Sequence, residues 1–221
     1  CGKTVSALSI LRLIQEPPGK IMSGEILFDD KDLLKLTKKE LQDHRGKDIA
    51  MVFQNPMTSM NPVLTIGEQI IETLLRHTPL SRKEAREKSL RLLEQVEISS
   101  PKEKLDQYPH QLSGGMRQRV MIAIALSCSP RILIADEPTT ALDVLIQAQI
   151  IDLLKKIKQE TRMSILLITH DLGVVSEIAK RIMVMYAGEI VETGPVGDLF
   201  RSPLHPYTIG LMKSIPELKP S

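Results

Sequence analysis

Short apolar runs alternate with stretches of helical period along this chain. Residues 4–14 put Val5, Leu8, Leu11 and Ile14 on one stripe, which predicts a helix stopped by Pro17-Pro18. Residues 25–28 and 49–53 read as strands, with Asp29-Asp30 as a turn between them. From residue 66 to 96 the pattern becomes helical and charge-rich. Within it, 81–96 opens on Ser81 with Glu84 three residues on, the spacing of a capping box. Residues 114–126 form another predicted helix. Strand–helix alternation then returns: a strand at 132–135, a helix at 144–161, a strand at 164–169, a short helix at 172–178, then strands at 182–186 and 189–192. Near-continuous apolar strands separated by helices predict an α/β fold whose parallel sheet is covered on both faces. The expected organisation is a single domain: a core at 1–55 and 120–194, a helical subdomain at 56–119, and a tail at 195–221.

Composition narrows the function classes. The chain has 221 residues, 42% of them hydrophobic, enough for one large domain or a core with one inserted subdomain. A net charge of +2 argues against nucleic acid as a main partner, where a strong basic excess is usual. No apolar run approaches the roughly 20 residues that span a bilayer. Two cysteines, Cys1 and Cys128, make no disulfide framework and fit the cytosol. Cys128 reads as a small core residue on its helix. His44, His77 and His110 lack metal-ligand spacing and read as surface or packing residues.

Three motifs carry chemistry. Cys1-Gly2-Lys3-Thr4, directly before a helix, matches the tail of a P-loop. Backbone N–H groups at such a helix start wrap phosphates, and Gly2 allows close approach. Lys3 would reach the β- and γ-phosphates and Thr4 would ligate Mg²⁺. Alone, this short motif also fits a surface turn. The strand at 132–135 delivers Asp136 and Glu137 at its carboxyl end, where ligands sit in open α/β sheets. If this is a P-loop ATPase, Asp136 would hold Mg²⁺ through water and Glu137 would polarise an attacking water as general base. Alone, this pair also fits a solvated acidic turn. The third motif is Leu112-Ser113-Gly114-Gly115-Met116-Arg117-Gln118-Arg119. It makes a second anion-binding helix start, which one nucleotide does not need from a single chain.

That octapeptide resembles the signature sequence of ABC ATPases, and the other motifs stand in the family's order around it. The resemblance implies a RecA-like P-loop NTPase core with an inserted helical subdomain. Val52-Phe53-Gln54 is similar to the family's Q-loop, with Gln54 on Mg²⁺ and the attacking water. Ala141-Leu142-Asp143 is similar to the D-loop, which meets the opposite subunit. Thr169-His170-Asp171 is similar to the switch histidine, which contacts the γ-phosphate. By resemblance, ATP and Mg²⁺ are the cofactors. Cys1, Gly2, Lys3, Thr4, Val5 and Asp136 bind nucleotide, with Thr4, Gln54 and Asp136 around Mg²⁺. Glu137, His170 and Gln54 are catalytic. Ser113, Gly114 and Gly115 lie too far away to cap the same nucleotide, so they and Asp143 would serve the site shared with a second ATPase subunit. Two chains head-to-tail, identical or merely similar, would sandwich two ATP molecules.

Two further segments resemble the oligopeptide, dipeptide and nickel uptake subfamily. One is Gln54-Asn55-Pro56-Met57-Thr58-Ser59-Met60-Asn61-Pro62, whose 57–60 region lines a groove for a permease helix in relatives. The other is Ser202-Pro203-Leu204-His205-Pro206-Tyr207-Thr208, the His-Pro-Tyr element. They imply an ATPase at the cytoplasmic face of the membrane, separate integral membrane permease subunits, and an extracytoplasmic solute-binding protein. Non-transport ABC ATPases are the alternative, but the compact insert, single ATPase unit and absence of a cysteine cluster disfavour chromosome, translation and repair types. Intact motifs disfavour a purely regulatory partner, and the signature helix has no role in a simple P-loop kinase or GTPase. Relatives carry an upstream strand, a first P-loop glycine, an adenine-stacking aromatic residue and a longer tail that this sequence does not show. The expectation is therefore a piece of a longer protein that binds ATP poorly by itself. Asp30 stands where relatives often have Gly, a turn that Asp tolerates.

Overall fold

A computed structural model describes residues 1–214. In chain order its elements are α1 (Lys3–Ile10), β1 (Leu27–Phe28), β2 (Lys31–Asp32), α2 (Lys38–His44), β3 (Ile49–Val52), α3 (Pro56–Ser59), α4 (Ile66–His77), α5 (Arg82–Gln95), α6 (Pro101–Leu105), α7 (Gly114–Leu126), β4 (Ile132–Asp136), α8 (Val144–Glu160), β5 (Ser164–Ile168), α9 (Leu172–Ile178), β6 (Arg181–Tyr186), β7 (Glu189–Pro195), α10 (Val196–Arg201) and α11 (Pro206–Lys213).

Strands β3, β4 and β5 form a parallel sheet in that order, with β4 in the centre. Side chains alternate across it, as the period of a strand demands. Ile49, Met51, Ile134 and Ile168 pack with Ala7 of α1 and with Leu11 just after it. Ala50, Val52, Leu133 and Ala135 pack instead with α7 and α8, through Val120, Ile122, Ile150 and Leu154. Leu133, Ile134 and Ala135 are all fully buried, so the expected parallel sheet covered on both faces is present. The same apolar cluster runs on into the helical segment through Ile66, Ile70, Leu74 and Leu93. Buried Arg119 ties the end of α5 to α8, donating to the Val96 carbonyl at 2.9 Å, to Glu97 at 3.1 Å and to Gln149 at 3.2 Å.

Local chemistry sets several helix ends. The Ser81–Glu84 capping box forms as expected, Asp143 caps α8 and Asp171 caps α9. Helix α1 is shorter than its stripe predicts, ending at Ile10 rather than residue 14. Arg12 enters the left-handed region (φ 48°), and the Leu13 and Arg12 amides turn back to the Leu8 and Ser9 carbonyls at 2.8 and 2.9 Å. This is a Schellman closure with Arg in the position usually held by Gly. Arg45 stabilises it by donating from Nε to the Leu11 carbonyl (2.8 Å) and from Nη2 to the Arg12 carbonyl (2.9 Å).

The strand expected at 25–28 contracts to β1 and pairs antiparallel with β2 around Asp29-Asp30. Both aspartates have positive φ (49° and 60°), the pattern of a type I′ hairpin turn. The turn is as expected, but it leads into β2 rather than the strand at 49. Arg131 pairs with Asp29 and lies 4.8 Å over the Phe28 ring. Strands β6 and β7 form a separate antiparallel hairpin, and β7 runs to Pro195 rather than stopping at 192. Cys128 lies just beyond α7 rather than on it. It is half-buried beside the Thr73 carbonyl, and burial pushes its thiol pKa up. The three histidines pack locally: His44 on Asp48 and Phe28, His77 half-buried beside Gly46, and His110 stacked on Tyr108.

If β4 is sandwiched in this way, Ile134→Ala leaves a hole that neither face can fill. Urea unfolding should show a loss of about 2–5 kcal/mol. A loss below ~1 kcal/mol would contradict the double burial.

Candidate active site

Parallel pairing brings the carboxyl ends of three strands to one edge, with Val52 beside Ala135 and Asp136 beside Ile168. The residues that follow each strand therefore meet there. Gln54 follows β3, Glu137 follows β4 and His170 follows β5. Glu137 turns the chain sharply (φ 45°), and its amide donates to the Ile168 carbonyl at 2.8 Å, which fixes the corner to β5. Its side chain, only 19% exposed, is the hub of the site. Gln54 Nε2 donates to Oε2 at 2.9 Å and the Thr140 hydroxyl donates to the same oxygen at 2.8 Å. His170 Nδ1 lies 3.3 Å from Oε1, with its own ring 72% exposed.

The start of α1 approaches the same edge. Gly2 caps it with φ 103°, a left-handed conformation that glycine adopts without cost. Lys3 Nζ donates to the Thr169 carbonyl at 3.2 Å, and the Thr4 hydroxyl donates to Asp136 Oδ1 at 3.2 Å. The Cys1 carbonyl accepts from Gly188 in the β6–β7 turn at 3.0 Å. Val5 is exposed. A hydroxyl and a carboxylate side by side suit Mg²⁺, which takes hard oxygen ligands, keeps several waters and draws further ligands from phosphates. Thr4 and Asp136 are the residues that would hold it, with Gln54 one strand away.

The two adjacent carboxyls are driven in opposite directions. Burial raises the pKa of Asp136, which is 2% exposed, and the charge of Glu137 adds to that, against the opposing Thr4 hydrogen bond and Lys3. Burial also raises that of Glu137. There it is outweighed by hydrogen bonds from Thr140 and His170 and by the charges of His170 and Lys3, so the net shift is downward. Glu137 is thereby kept ionised, the state a general base requires.

Ser113 caps α7 by accepting from the Met116 amide at 3.3 Å, leaving Ser113 and Gly114 exposed at the helix start. Gly115 is required by packing, since a Cβ there would stand 2.8 Å from Ile146 Cγ2 at the start of α8. Among the described residues, no hydrogen bond joins Ser113, Gly114 or Gly115 to the Glu137 cluster. Asp143 uses its carboxylate to cap α8, accepting from the Ile146 amide at 2.9 Å. Sequence reasoning missed Thr140 and Gln147, whose Nε2 donates to the Thr139 and Leu142 carbonyls at 3.2 and 3.1 Å. A hydroxyl three residues after a carboxylate in a tight turn is the signal that could have found the first. The His-Pro-Tyr element is also built by local chemistry. His205 Nδ1 accepts from the Tyr207 amide, Pro206 opens α11, and the Tyr207 ring lies 4.5 Å from that of Tyr186. Glu192 accepts from the Leu204 and His205 amides, holding the element to β7.

Two outcomes follow from this geometry. Because the folded-state pKa of Asp136 lies above its unfolded value, ionising it as pH rises through that folded pKa removes stability. Asp136→Asn should therefore raise the melting temperature of the nucleotide-free protein at neutral pH. The gain should vanish as pH falls into the range where Asp136 protonates; a gain independent of pH would reject burial as the cause. Gly115→Ala should destabilise by about 1–3 kcal/mol through overpacking. Ile146→Ala should recover part of that loss in the double variant, and strict additivity would argue against the contact.

Comparison with known proteins identifies the family. The ABC transporter family profile matches residues 1–140, and that of the oligopeptide/dipeptide transporter C-terminal region matches residues 191–221, of which 215–221 lie outside the described residues. The oligopeptide transport ATP-binding protein AppD of Bacillus subtilis is 58% identical over 215 residues, covering 97% of this chain and 66% of that protein. The dipeptide transport ATP-binding protein DppD of the same organism is 56% identical over 218 residues, covering 99% and 65%. The chain thus spans just under two thirds of these relatives' length. Among solved structures, the ATP-binding cassette MJ0796, dimeric and bound to ADP and Pi, superposes with a TM-score of 0.77 at 32% identity, covering 88% of this chain and 81% of that one. The fold is that of an ABC ATPase cassette, and this chain belongs to the ABC transporter family.

Proposed function

We propose that this chain is the ATP-hydrolysing part of an ABC importer that drives uptake of peptides. The observation that carries the reading is the convergence of Gln54, Thr140 and His170 on the Glu137 carboxylate, beside Lys3, Thr4 and Asp136. Phosphoryl transfer needs mainly positioning and charge stabilisation, and this edge supplies both. Lys3 would neutralise terminal phosphate charge, and Glu137 would take a proton from the attacking water. His170 and Gln54 would hold that water and the γ-phosphate in line. Thr4 and Asp136 would hold Mg²⁺, which would supply positive charge to the phosphates.

The exposed start of α7 supports a split site. Its Ser113–Gly115 amides make no hydrogen bond to the hub among the described residues, so they would cap ATP bound to a second ATPase subunit packed head-to-tail, with Asp143 in the turn between them. The relative MJ0796 is a dimer with ADP and Pi, which supports the same arrangement. Among the described residues no helix is long and apolar enough to cross a membrane. On this reading the channel would be formed by permease subunits. A groove of about 950 Å³ lies between the sheet and α4, lined by Met51, Phe53, Met60, Leu64 and Leu75, and is where a permease helix would dock. On this reading the chain would work at the cytoplasmic face of the membrane. An extracytoplasmic solute-binding protein would deliver the peptide, a cargo suggested by the relatives' names and by the match at 191–221.

In the full-length protein, Glu137→Gln should lower ATP turnover by roughly 10²-fold or more while ATP affinity changes only a few-fold. Turnover near the unmutated rate would remove Glu137 from the chemistry and this reading with it.

A further inference from the structure

We propose that Thr140 is a positioning residue that holds the Glu137 carboxylate in its working orientation and links it to the turn leading into α8. The inference rests on the reading of Glu137 as the base. Three groups donate to that carboxylate, but they differ in how firmly they are held. Gln54 and His170 are exposed side chains on the loops after β3 and β5. Thr140 is half-buried, makes the shortest of the three contacts (2.8 Å), and sits in the same tight turn as Glu137, its amide donating to the Glu137 carbonyl at 3.1 Å. Its hydroxyl has a short side chain and little freedom to lose, so it fixes the carboxylate at small entropic cost.

The turn around Thr140 is itself braced. Gln147, on α8, donates to both the Thr139 and Leu142 carbonyls, one on each side of Thr140-Ala141. The Leu142 amide returns to the Thr139 carbonyl at 3.3 Å, and Ala141 takes a left-handed conformation (φ 64°) that completes the loop. Asp143 then caps α8. Gln147 thus holds the turn that carries Thr140, and Thr140 in turn holds Glu137 Oε2. With Oε2 occupied by Thr140 and Gln54, Oε1 is the oxygen directed toward His170 and available to a water. Loss of the Thr140 hydroxyl would leave the carboxylate to rotate on the two exposed donors alone.

The test is steady-state ATP hydrolysis and equilibrium ATP binding by the full-length protein carrying Thr140→Val, Thr140→Ser or Glu137→Gln. Thr140→Val keeps the shape and removes the donor. It should lower kcat by roughly 10-fold, the scale of one hydrogen bond to a charged group, with ATP affinity within twofold. Thr140→Ser should restore kcat to within about threefold of the unmutated protein. In the Glu137→Gln background, Thr140→Val should cause no further loss, because the group it positions is already disabled. If Thr140→Val hydrolyses ATP at the unmutated rate while Glu137→Gln is inactive, this inference fails and the assignment of the base stands. If Thr140→Val weakens ATP binding as much as it lowers kcat, or Thr140→Ser fails to rescue, the role is structural and the inference also fails. If Glu137→Gln itself stays active, the assignment of the base fails first.

Discussion

Burial of β4 on both faces is the constraint from which the site follows. Ile134 presses on the α1 side while Leu133 and Ala135 press on α7 and α8. A slip of one residue would send each of these side chains to the wrong face, so the register is fixed by packing. Once β4 is fixed, its neighbours are fixed with it, because Val52 must end beside Ala135 and Ile168 beside Asp136. Gln54, Glu137 and His170 therefore meet without any direct requirement on their own side chains. The core places the chemistry, and the polar groups then choose their partners at the edge.

At that edge the structure departs from what stability alone would select. Asp136 is a buried carboxyl whose one side-chain hydrogen bond among the described residues is from the Thr4 hydroxyl at 3.2 Å. Glu137 and Ala141 hold positive φ angles that non-glycine residues rarely adopt. These departures lie within six residues of one another, where β4 gives way to the turn before α8. Unfavourable conformations concentrated in one turn and supported by a rigid core are a pattern found at functional sites. The same turn carries the hydrogen bonds from Gln147 that prevent it from relaxing.

Much of this was legible in the sequence where the deciding interactions are local. The helices at 114–126 and 172–178 appear with those bounds, because Ser113 and Asp171 cap them from within a few residues. The His-Pro-Tyr element is likewise readable as a cap, a helix-opening proline and a ring. What was not legible depends on distant partners. The early end of α1 is secured by Arg45, 34 residues away, and no periodicity in residues 4–14 reports it. The hairpin of β1 and β2 was hidden because each strand is only two residues long and its pattern is too short to count. The structure gathers Gln54 and His170, both in motifs, around Glu137, whereas Thr140 and Gln147 were not anticipated, because their roles arise from the shape of the turn.

The start of α7 and the turn after Glu137 belong to one mechanical unit, and this bears on how a split site would communicate. Gly115 packs so closely on Ile146 that no side chain fits between them, and a Cβ on Gly114 would meet Leu142 at 3.6 Å. Ile146 and Leu142 flank Asp143, and Gln147 follows in α8, bracing the turn that carries Thr140. If ATP on a partner subunit drew the amides of Ser113–Gly115 toward it, the displacement would reach α8 through the tight Gly115–Ile146 contact. On the proposed reading, the groups over one nucleotide and the base for the other would then move together. An arrangement with a looser contact at Gly115 would bind the partner's nucleotide equally well but could not convey that binding to Glu137.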